Sequence, residues 1–531
     1  MLHTQRSYGG SCVAPHHLAA SAGRDVLKQG GNAVEAMVAA AAAIAVVYPH
    51  MNALGGDGFW LIHEPGKAPV AIDACGPAAQ LANRDFYSGE SQIPERGPKA
   101  TLTMAGTISG WQEALNVAAG WGSALPLPTL LADAIRHADE GIAVSQSQET
   151  LTAKHLERLS QSPGFSDALL LSGQVPREGE RLRQPRLANT LKRLASAGLD
   201  DFYRGELAAS MAKDLEALGS PLRLDDFHAY RAQQVTPLHV QLNDATLYNL
   251  PAPTQGMASL MILGIYERIK AAEPNGFDHL HGLIEATKRA FMLRDRYVTD
   301  PYRVPTPLQE LLSEERIGAE AAEINPAQAL PWPYEPAPGD TIWMGTVDSE
   351  GRSVSFIQSI YWEFGSGVVL PESGVLWQNR GISFSLNPDD LRGLAPGRKP
   401  FHTLNPALAL FNDGRTMVYG TMGGEGQPQT QAAVFSGYAW RNKSITQAVS
   451  DPRWLLGRTW GDTSTNLKVE QSLVIQVKHE LNQRDHDWVS VDNNNEMMGH
   501  AGAILDTPTS LEAATDPRSD GRATVTTAGT Q

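Results

Sequence analysis

Gly339-Asp340-Thr341-Ile342-Trp343-Met344-Gly345-Thr346-Val347 runs into Asp348-Ser349-Glu350-Gly351-Arg352, and then into Ser353-Val354-Ser355-Phe356-Ile357-Gln358-Ser359-Ile360-Tyr361. Two β-rich runs around a short polar, glycine-containing turn spell a hairpin. If Asp348 and Arg352 flank a three-residue loop, position 341 falls opposite position 359, which is serine. The register therefore sets a second hydroxyl beside Thr341. A threonine hydroxyl is a weak nucleophile until a base takes its proton. A free α-amino group on the same residue can be that base, because its pKa lies near neutrality. Such an amine exists only if the peptide bond before Thr341 is cut. Attack of the Thr341 hydroxyl on the Asp340 carbonyl gives an ester that water opens, so Asp340 and Thr341 mark the predicted cleavage point.

Immediately upstream, Ala322–Asp340 (AEINPAQALPWPYEPAPGD) carries five prolines and little periodicity. It reads as an exposed linker that leaves a new chain end room to move away. Downstream, Ala407–Phe411 and Met417–Gly420 read as strands, and Thr421-Met422-Gly423-Gly424-Glu425-Gly426 follows the second of them. Acyl transfer needs backbone N–H groups aimed at a developing oxyanion. Gly423 and Gly424 could turn two amides inward without side-chain obstruction, although adjacent glycines after a strand are more often a plain turn.

The first third reads differently. Ala14–Val47 is two helices broken at Gly30-Gly31-Asn32, the second of them a buried alanine-rich helix too short to span a bilayer. Leu54-Gly55-Gly56-Asp57-Gly58 leads into a strand and lacks the lysine and hydroxyl of a phosphate-binding loop. Leu127–Tyr230 is mostly helical, His281–Pro301 is an amphipathic helix stopped by proline, and the tail beyond Thr507 is rich in small polar residues and is expected to fray at its end. The chain has 531 residues, with 43 Lys plus Arg against 58 Asp plus Glu, a net charge of -15 that argues against nucleic acid or anionic lipid as partner. Cys12 and Cys75 cannot define a disulfide framework and read as passive thiols. A polar N-terminus without an apolar signal core points to the cytoplasm.

The residues around this hairpin belong to a wider set. G-G-N-A-V-E-A at 30–36, L-G-G-D-G-F at 54–59, P-A-P-T-Q-G-M at 251–257, E-A-T-K-R-A-F at 285–291 and G-D-T at 339–341 are joined by F-G-S-G at 364–367, P-E-S-G-V-L at 371–376 and M-G-G-E-G at 422–426. From about Ala14 to Gly521 the chain resembles the γ-glutamyltransferase family of N-terminal-nucleophile hydrolases. That resemblance implies an α+β fold, a four-layer αββα sandwich. It would be built from one precursor, with residues 1–340 as the large subunit and 341–531 as the small one, together a single unit. It implies Thr341 as nucleophile, Ser359 as the second hydroxyl, and Gly423 with Gly424 as the oxyanion pair. It needs neither metal nor organic cofactor. A homodimer of processed heterodimers is compatible with it.

The chain departs from the family's glutathione-cutting members. Ile72-Asp73-Ala74-Cys75-Gly76-Pro77 lacks the arginine that would hold an α-carboxylate. In Gln378-Asn379-Arg380-Gly381-Ile382-Ser383, Ser383 stands at the place of the acid that would hold an α-amino group. His402 and Thr403 replace paired serines, and Tyr361 replaces an asparagine. The Y-W-E, N-R-G and P-F-H-T signature is similar to a divergent branch that includes cephalosporin acylases and oxamate amidohydrolases. A site without both charges has no reason to prefer a γ-glutamyl group. The resulting expectation is hydrolysis of a small carboxylate-bearing amide, best oxamate to oxalate plus ammonia, with Arg380, or His402 with Thr403, holding the carboxylate. Tyr361 and Ser383 would line the same pocket, although Arg380 could equally pair with an acid at the surface. Glutathione hydrolase or transferase, glutaryl (cephalosporin) acylase and a catalytically silent binding homologue remain the alternatives.

Overall fold

Alternation along the hairpin sends its side chains to two faces, and the computed structural model shows what each face meets. The structure describes residues 3–122, 124–270, 276–332, 340–457 and 464–527, Asp340 by its backbone alone. Ile342, Met344, Val354, Phe356 and Ile360 share a core with helix Ala33–Val47. Trp343, Val347 and Ile357 turn the other way, onto Leu408, Val418 and Ile504 of a second sheet. A period of two buried on both faces is what a strand inside a sandwich requires.

The sheet that holds the hairpin has seven antiparallel strands in the order Arg522–Val525, Ser11–Ala14, Asp340–Val347, Ser353–Tyr361, Asp57–His63, Val70–Ala74 and Gln233–Val235. The second sheet is also seven-stranded and antiparallel, in the order Gln5–Ser7, Leu511–Thr515, Ala501–Asp506, Thr416–Thr421, Ala407–Phe411, Ala245–Asn249 and Leu238–Gln241. Helices Gly256–Ile269, Gly276–Tyr297 and Gln427–Arg441 cover its outer face. The layers run helix, sheet, sheet, helix, the αββα sandwich expected from the sequence. Both sheets contain strands from before and after Thr341, so the two expected subunits are interleaved parts of one unit.

Helix Ala33–Val47 forms where the Gly30-Gly31-Asn32 break predicts it. The Asn32 side chain accepts from the Val34 and Glu35 amides, and the Glu35 carboxylate returns a bond to the Asn32 amide. Every residue of this helix is buried. Asp348 ties the hairpin to the helix: its amide donates to the Arg352 carbonyl at 3.0 Å, and its Oδ2 accepts from the Ala33 amide at 3.1 Å.

The predicted pairing holds from Val347 opposite Ser353 to Ile342 opposite Gln358, and then slips, with Asp340 opposite Tyr361. Thr341 alone therefore faces Ser359 and Ile360. A bulge of this kind re-aims the side chains around it, and here it lies at the expected nucleophile.

Within the C-terminal tail, Arg522–Val525 is a sheet strand paired with Ser11–Ala14, and the Thr524 hydroxyl bonds the Cys12 and Ala20 carbonyls. Its alternating small residues fit a sheet edge. Residues 528–531, the end expected to fray, lie outside the described residues. The upstream linker is exposed along most of its described length, as expected, and is anchored at Ala329 and Leu330. Glu285 accepts from the Leu330 amide at 3.0 Å, Lys288 donates to the Leu330 carbonyl at 2.6 Å, and the Ala329 amide donates to Arg484. Residues 333–339, the rest of that linker, lie outside the described residues.

Candidate active site

Thr341 starts an inner-sheet strand and is fully buried, as is Ser359 beside it. The Ser359 hydroxyl accepts from the Tyr361 amide at 2.8 Å. Tyr361 takes φ of +82°, a left-handed backbone that costs a tyrosine about 1–3 kcal/mol and marks the strand's end. Its ring is thereby brought under Arg380.

Gly423 and Gly424, the expected oxyanion pair, follow a strand of the opposite sheet. A Cβ added at Gly420 would lie 2.2 Å from Trp343, and one at Gly345 would lie 3.3 Å from Val418. Stepping two residues further along each strand carries Thr341 towards Met422–Gly423. Gly423 has φ of +116° and Gly424 of +53°, so both glycines occupy the left-handed region. Among the described residues neither amide is seen to donate a hydrogen bond. A methyl group at Gly423 would clear its neighbours, the nearest atom lying at 3.6 Å, so Gly423→Ala acts through backbone strain alone. We expect it to lower kcat about 10²-fold with little change in KM; loss of KM with kcat intact would place the oxyanion donors elsewhere.

Two residues that sequence reading passed over organise this end of the sandwich. Gln255 donates to the Thr403 carbonyl at 2.8 Å and to the Gly424 carbonyl at 2.9 Å, while its oxygen accepts from Arg294. Arg294 also pairs with Glu425 at 2.8 Å. Together they lock the 402–403 loop to the glycine loop. Asp57 is the second. It lies opposite Ser359 on the neighbouring strand, fully buried. Its Oδ1 accepts from the Gly76 and Gly106 amides, each at 3.1 Å, and from Gln378 at 3.2 Å, while its Oδ2 meets His402 Nε2 at 3.0 Å. A Cβ at Gly76 would fall 1.7 Å from the Met104 carbonyl oxygen, so only glycine can bring that amide in. The visible signal was a polar residue between glycines at the start of a buried strand, to which the sequence reading, having set aside a phosphate loop, gave no role.

Arg380 is not at the surface, contrary to one reading of the sequence. It is fully buried, its guanidinium lies 3.6 Å above the Tyr361 ring, and among the described residues all three of its side-chain nitrogens are without a hydrogen-bond partner. Burial weakens its hold on the proton, lowering its pKa to about 10, against the pull of Tyr361 and Asp57. The His402 Nδ1 and Thr403 Oγ1 are likewise buried and unpartnered. Ser383 is brought nearby in another role: its hydroxyl donates to the Arg380 and Phe401 carbonyls at 2.9 and 3.0 Å, which pins the turn carrying Arg380. A buried guanidinium whose three nitrogens are unpartnered, within electrostatic reach of the His402 imidazole, has the chemistry to receive an anion.

The Cys75 thiol lies close to Asp57 and His402. Arg380 and the Lys399–Asp73 pair, at 2.7 Å, make this corner a poor host for a cation. The same holds for His281, Glu285 and His486, where Lys288 already pairs with Glu285 at 2.7 Å. Both cysteines are buried and unpaired. An apolar cavity of about 190 Å³ behind helix Ala33–Val47 shares no lining residue with this group.

A family profile described as gamma-glutamyltranspeptidase matches residues 19–526. The chain belongs to the γ-glutamyltranspeptidase family. Within it, the chain is 54% identical over 97% of its length to the oxamate amidohydrolase proenzyme of Klebsiella pneumoniae, and covers 98% of that protein. It is 38% identical over 96% of its length to the glutathione hydrolase-like YwrD proenzyme of Bacillus subtilis, covering 97% of it. Among solved structures, the cephalosporin acylase of Bacillus halodurans superposes with a TM-score of 0.89 at 32% identity, over 99% of this chain and 97% of that one. The family membership carries the class expected from the sequence, an amidohydrolase of the N-terminal-nucleophile type. Among the described residues no helix is long and apolar enough to cross a membrane.

Proposed function

We propose that this member of the γ-glutamyltranspeptidase family cleaves itself between Asp340 and Thr341 and then hydrolyses a small amide bearing a carboxylate, oxamate being the best fit. The observation that carries the substrate class is Arg380, buried with three unpartnered nitrogens beside the hairpin. In this reading residues 1–340 and 341–531 remain interleaved after the cut, and the segment ending at Asp340 leaves to open the way to Thr341. The freed α-amino group takes the proton of the Thr341 hydroxyl, which attacks the amide carbonyl. Ser359 orients that amine, and the Gly423 and Gly424 amides receive the oxyanion. Ammonia departs with the proton, an oxalyl ester remains on Thr341, and water opens it to oxalate.

Arg380 and Thr403 hold the carboxylate, with Tyr361 forming the floor beneath the guanidinium. Among the described residues, the acids nearest Arg380 are already engaged: Asp57 Oδ1 accepts three N–H groups and Asp73 is paired with Lys399. This disfavours glutathione, whose γ-glutamyl head carries an ammonium. The high identity to an oxamate amidohydrolase proenzyme supports oxamate over a glutaryl amide. A cytoplasmic location, and a homodimer of processed heterodimers, belong to the same proposal. Ammonia release by the processed enzyme tests it, with oxamate, glutathione and a glutaryl amide run side by side. Release from oxamate alone is expected; release from the glutaryl amide alone would move the protein to the acylases, and glutamate from glutathione would overturn the pocket assignment.

A further inference from the structure

The hydrogen-bond allocation around Asp57 is lopsided. Oδ1 accepts from the Gly76 and Gly106 amides and from Gln378 Nε2, which the Met104 carbonyl holds in that orientation at 3.1 Å, so a proton on Oδ1 would face three donors. Among the described residues Oδ2 meets only His402 Nε2, at 3.0 Å. Any proton held by the pair beyond the one at this contact must therefore appear on His402 Nδ1, which is buried and unpartnered. With one proton, the contact is Nε2–H to a carboxylate and Nδ1 presents a lone pair. With two, whichever atom holds the shared proton, Nδ1 carries the other and becomes a donor.

We propose that Asp57 and His402 form a proton-linked half of the anion receptor: a ligand carboxylate binds Arg380 together with a proton that the pair takes up, which turns His402 Nδ1 from acceptor to donor. This rests on the proposed reading of the pocket as a carboxylate site and deepens it, because it names when that site binds and when it does not. A lone pair on Nδ1 would repel the anion that Arg380 attracts; a proton there completes the receptor with Thr403 Oγ1.

The surroundings set the direction. Arg380 faces the pair from the 380–383 turn. Cys75 and Asp73, the latter paired with Lys399, face it from the end of strand Val70–Ala74, and the Tyr203 and Tyr230 hydroxyls lie behind. The Phe59 ring packs edge-on against His402 at 4.8 Å. Without a ligand, the Arg380 charge opposes a second proton. A bound carboxylate cancels that charge and raises the pair's proton affinity. Burial pushes Asp57 up to about 7, against the Gly76 amide, Arg380 and Gln378, while burial, Arg380 and Lys399 push His402 well below the usual imidazole range. The second proton is thus gained or lost near neutrality. Below that point the pair is already loaded and binding is insensitive to pH. Above it affinity falls, by up to tenfold per pH unit, until the bound form also loses its proton.

Oxalate binding to the processed enzyme, measured by calorimetry in two buffers of different ionisation enthalpy, reads the proton directly. We expect close to one proton taken up per oxalate at about pH 8 and little at about pH 6. Asp57→Asn separates the pair from the Thr341 amine, which also titrates in this range. Its amide oxygen must stay with the three N–H donors, so its NH2 turns to His402 Nε2 and locks Nδ1 as a donor. Proton uptake should vanish in this variant, and its oxalate affinity should no longer fall as pH rises, a gain that a merely damaged fold cannot mimic. Uptake that persists in Asp57→Asn, or wild-type binding without uptake at about pH 8, overturns the linkage. Ammonia release from oxamate is scored separately. Release without proton uptake leaves the amidohydrolase standing and removes the linkage, whereas uptake on oxalate without release from oxamate keeps the linkage and removes that substrate. Oxalate that does not bind removes the linkage and the carboxylate pocket together.

Discussion

Thr341→Ala is expected to run as one chain of full length on a denaturing gel and to release no ammonia from any amide. Both losses come from one atom. The Thr341 hydroxyl is the only group in the proposal that can attack the Asp340 carbonyl and, after the cut, the substrate. Removing a nucleophile whose partners act as a unit with it lowers turnover by about 10⁴-fold or more, because base and oxyanion donors are left with nothing to activate. The methyl of alanine fills part of the same buried space, and the backbone bulge that places residue 341 opposite Ser359 and Ile360 does not depend on its hydroxyl. The variant should therefore fold. Two chains divided at residue 340 in Thr341→Ala would mean that cleavage uses another group, and the assignment of the nucleophile would fall with it.

Arg380→Met is expected to move stability and activity in opposite directions. Its guanidinium is buried beneath no counter-ion within hydrogen-bond reach, and stacks on Tyr361 instead. An unpaired buried charge costs several kcal/mol of desolvation that the stack, about 2 kcal/mol at most, cannot offset. An apolar side chain of similar length removes that cost, so the melting temperature should rise. Yet the carboxylate loses a charge-assisted partner of about 2–5 kcal/mol, which lowers kcat/KM for oxamate about 30-fold to several thousand-fold, chiefly through KM. Arg380→Lys should recover little, since an ammonium cannot offer the planar pair of donors. A melting temperature that drops by several degrees in Arg380→Met would show instead that the charge holds the fold and not a ligand. Such a trade of stability for function is the usual mark of a binding site.

The chemistry at Thr341 was legible because its causes are local. Period-two alternation, a turn ending in Gly351 and a nearly constant register are properties of twenty-odd consecutive residues, and they set Ser359 beside Thr341 without any knowledge of the rest. The Asn32 cap and the buried helix Ala33–Val47 were legible for the same reason. The bulge was not, because it arises where the strand end must accommodate the left-handed Tyr361. Nor could the sequence say whether Arg380 meets water or an apolar interior; its neighbours in the chain look the same in either case. Asp57 and His402 stand 345 residues apart, and Gln255 joins loops separated from it by 148 and 169 residues. No periodicity spans such distances. Only the packing of the two sheets brings their ends together. Thus short-range geometry in the sequence set the hairpin and pointed to Thr341, while the layered fold was implied by the resemblance to the γ-glutamyltransferase family. Only the tertiary structure decided that Arg380 is buried without a hydrogen-bond partner among the described residues, the observation on which the proposed carboxylate site rests, because burial is a property of the packed whole.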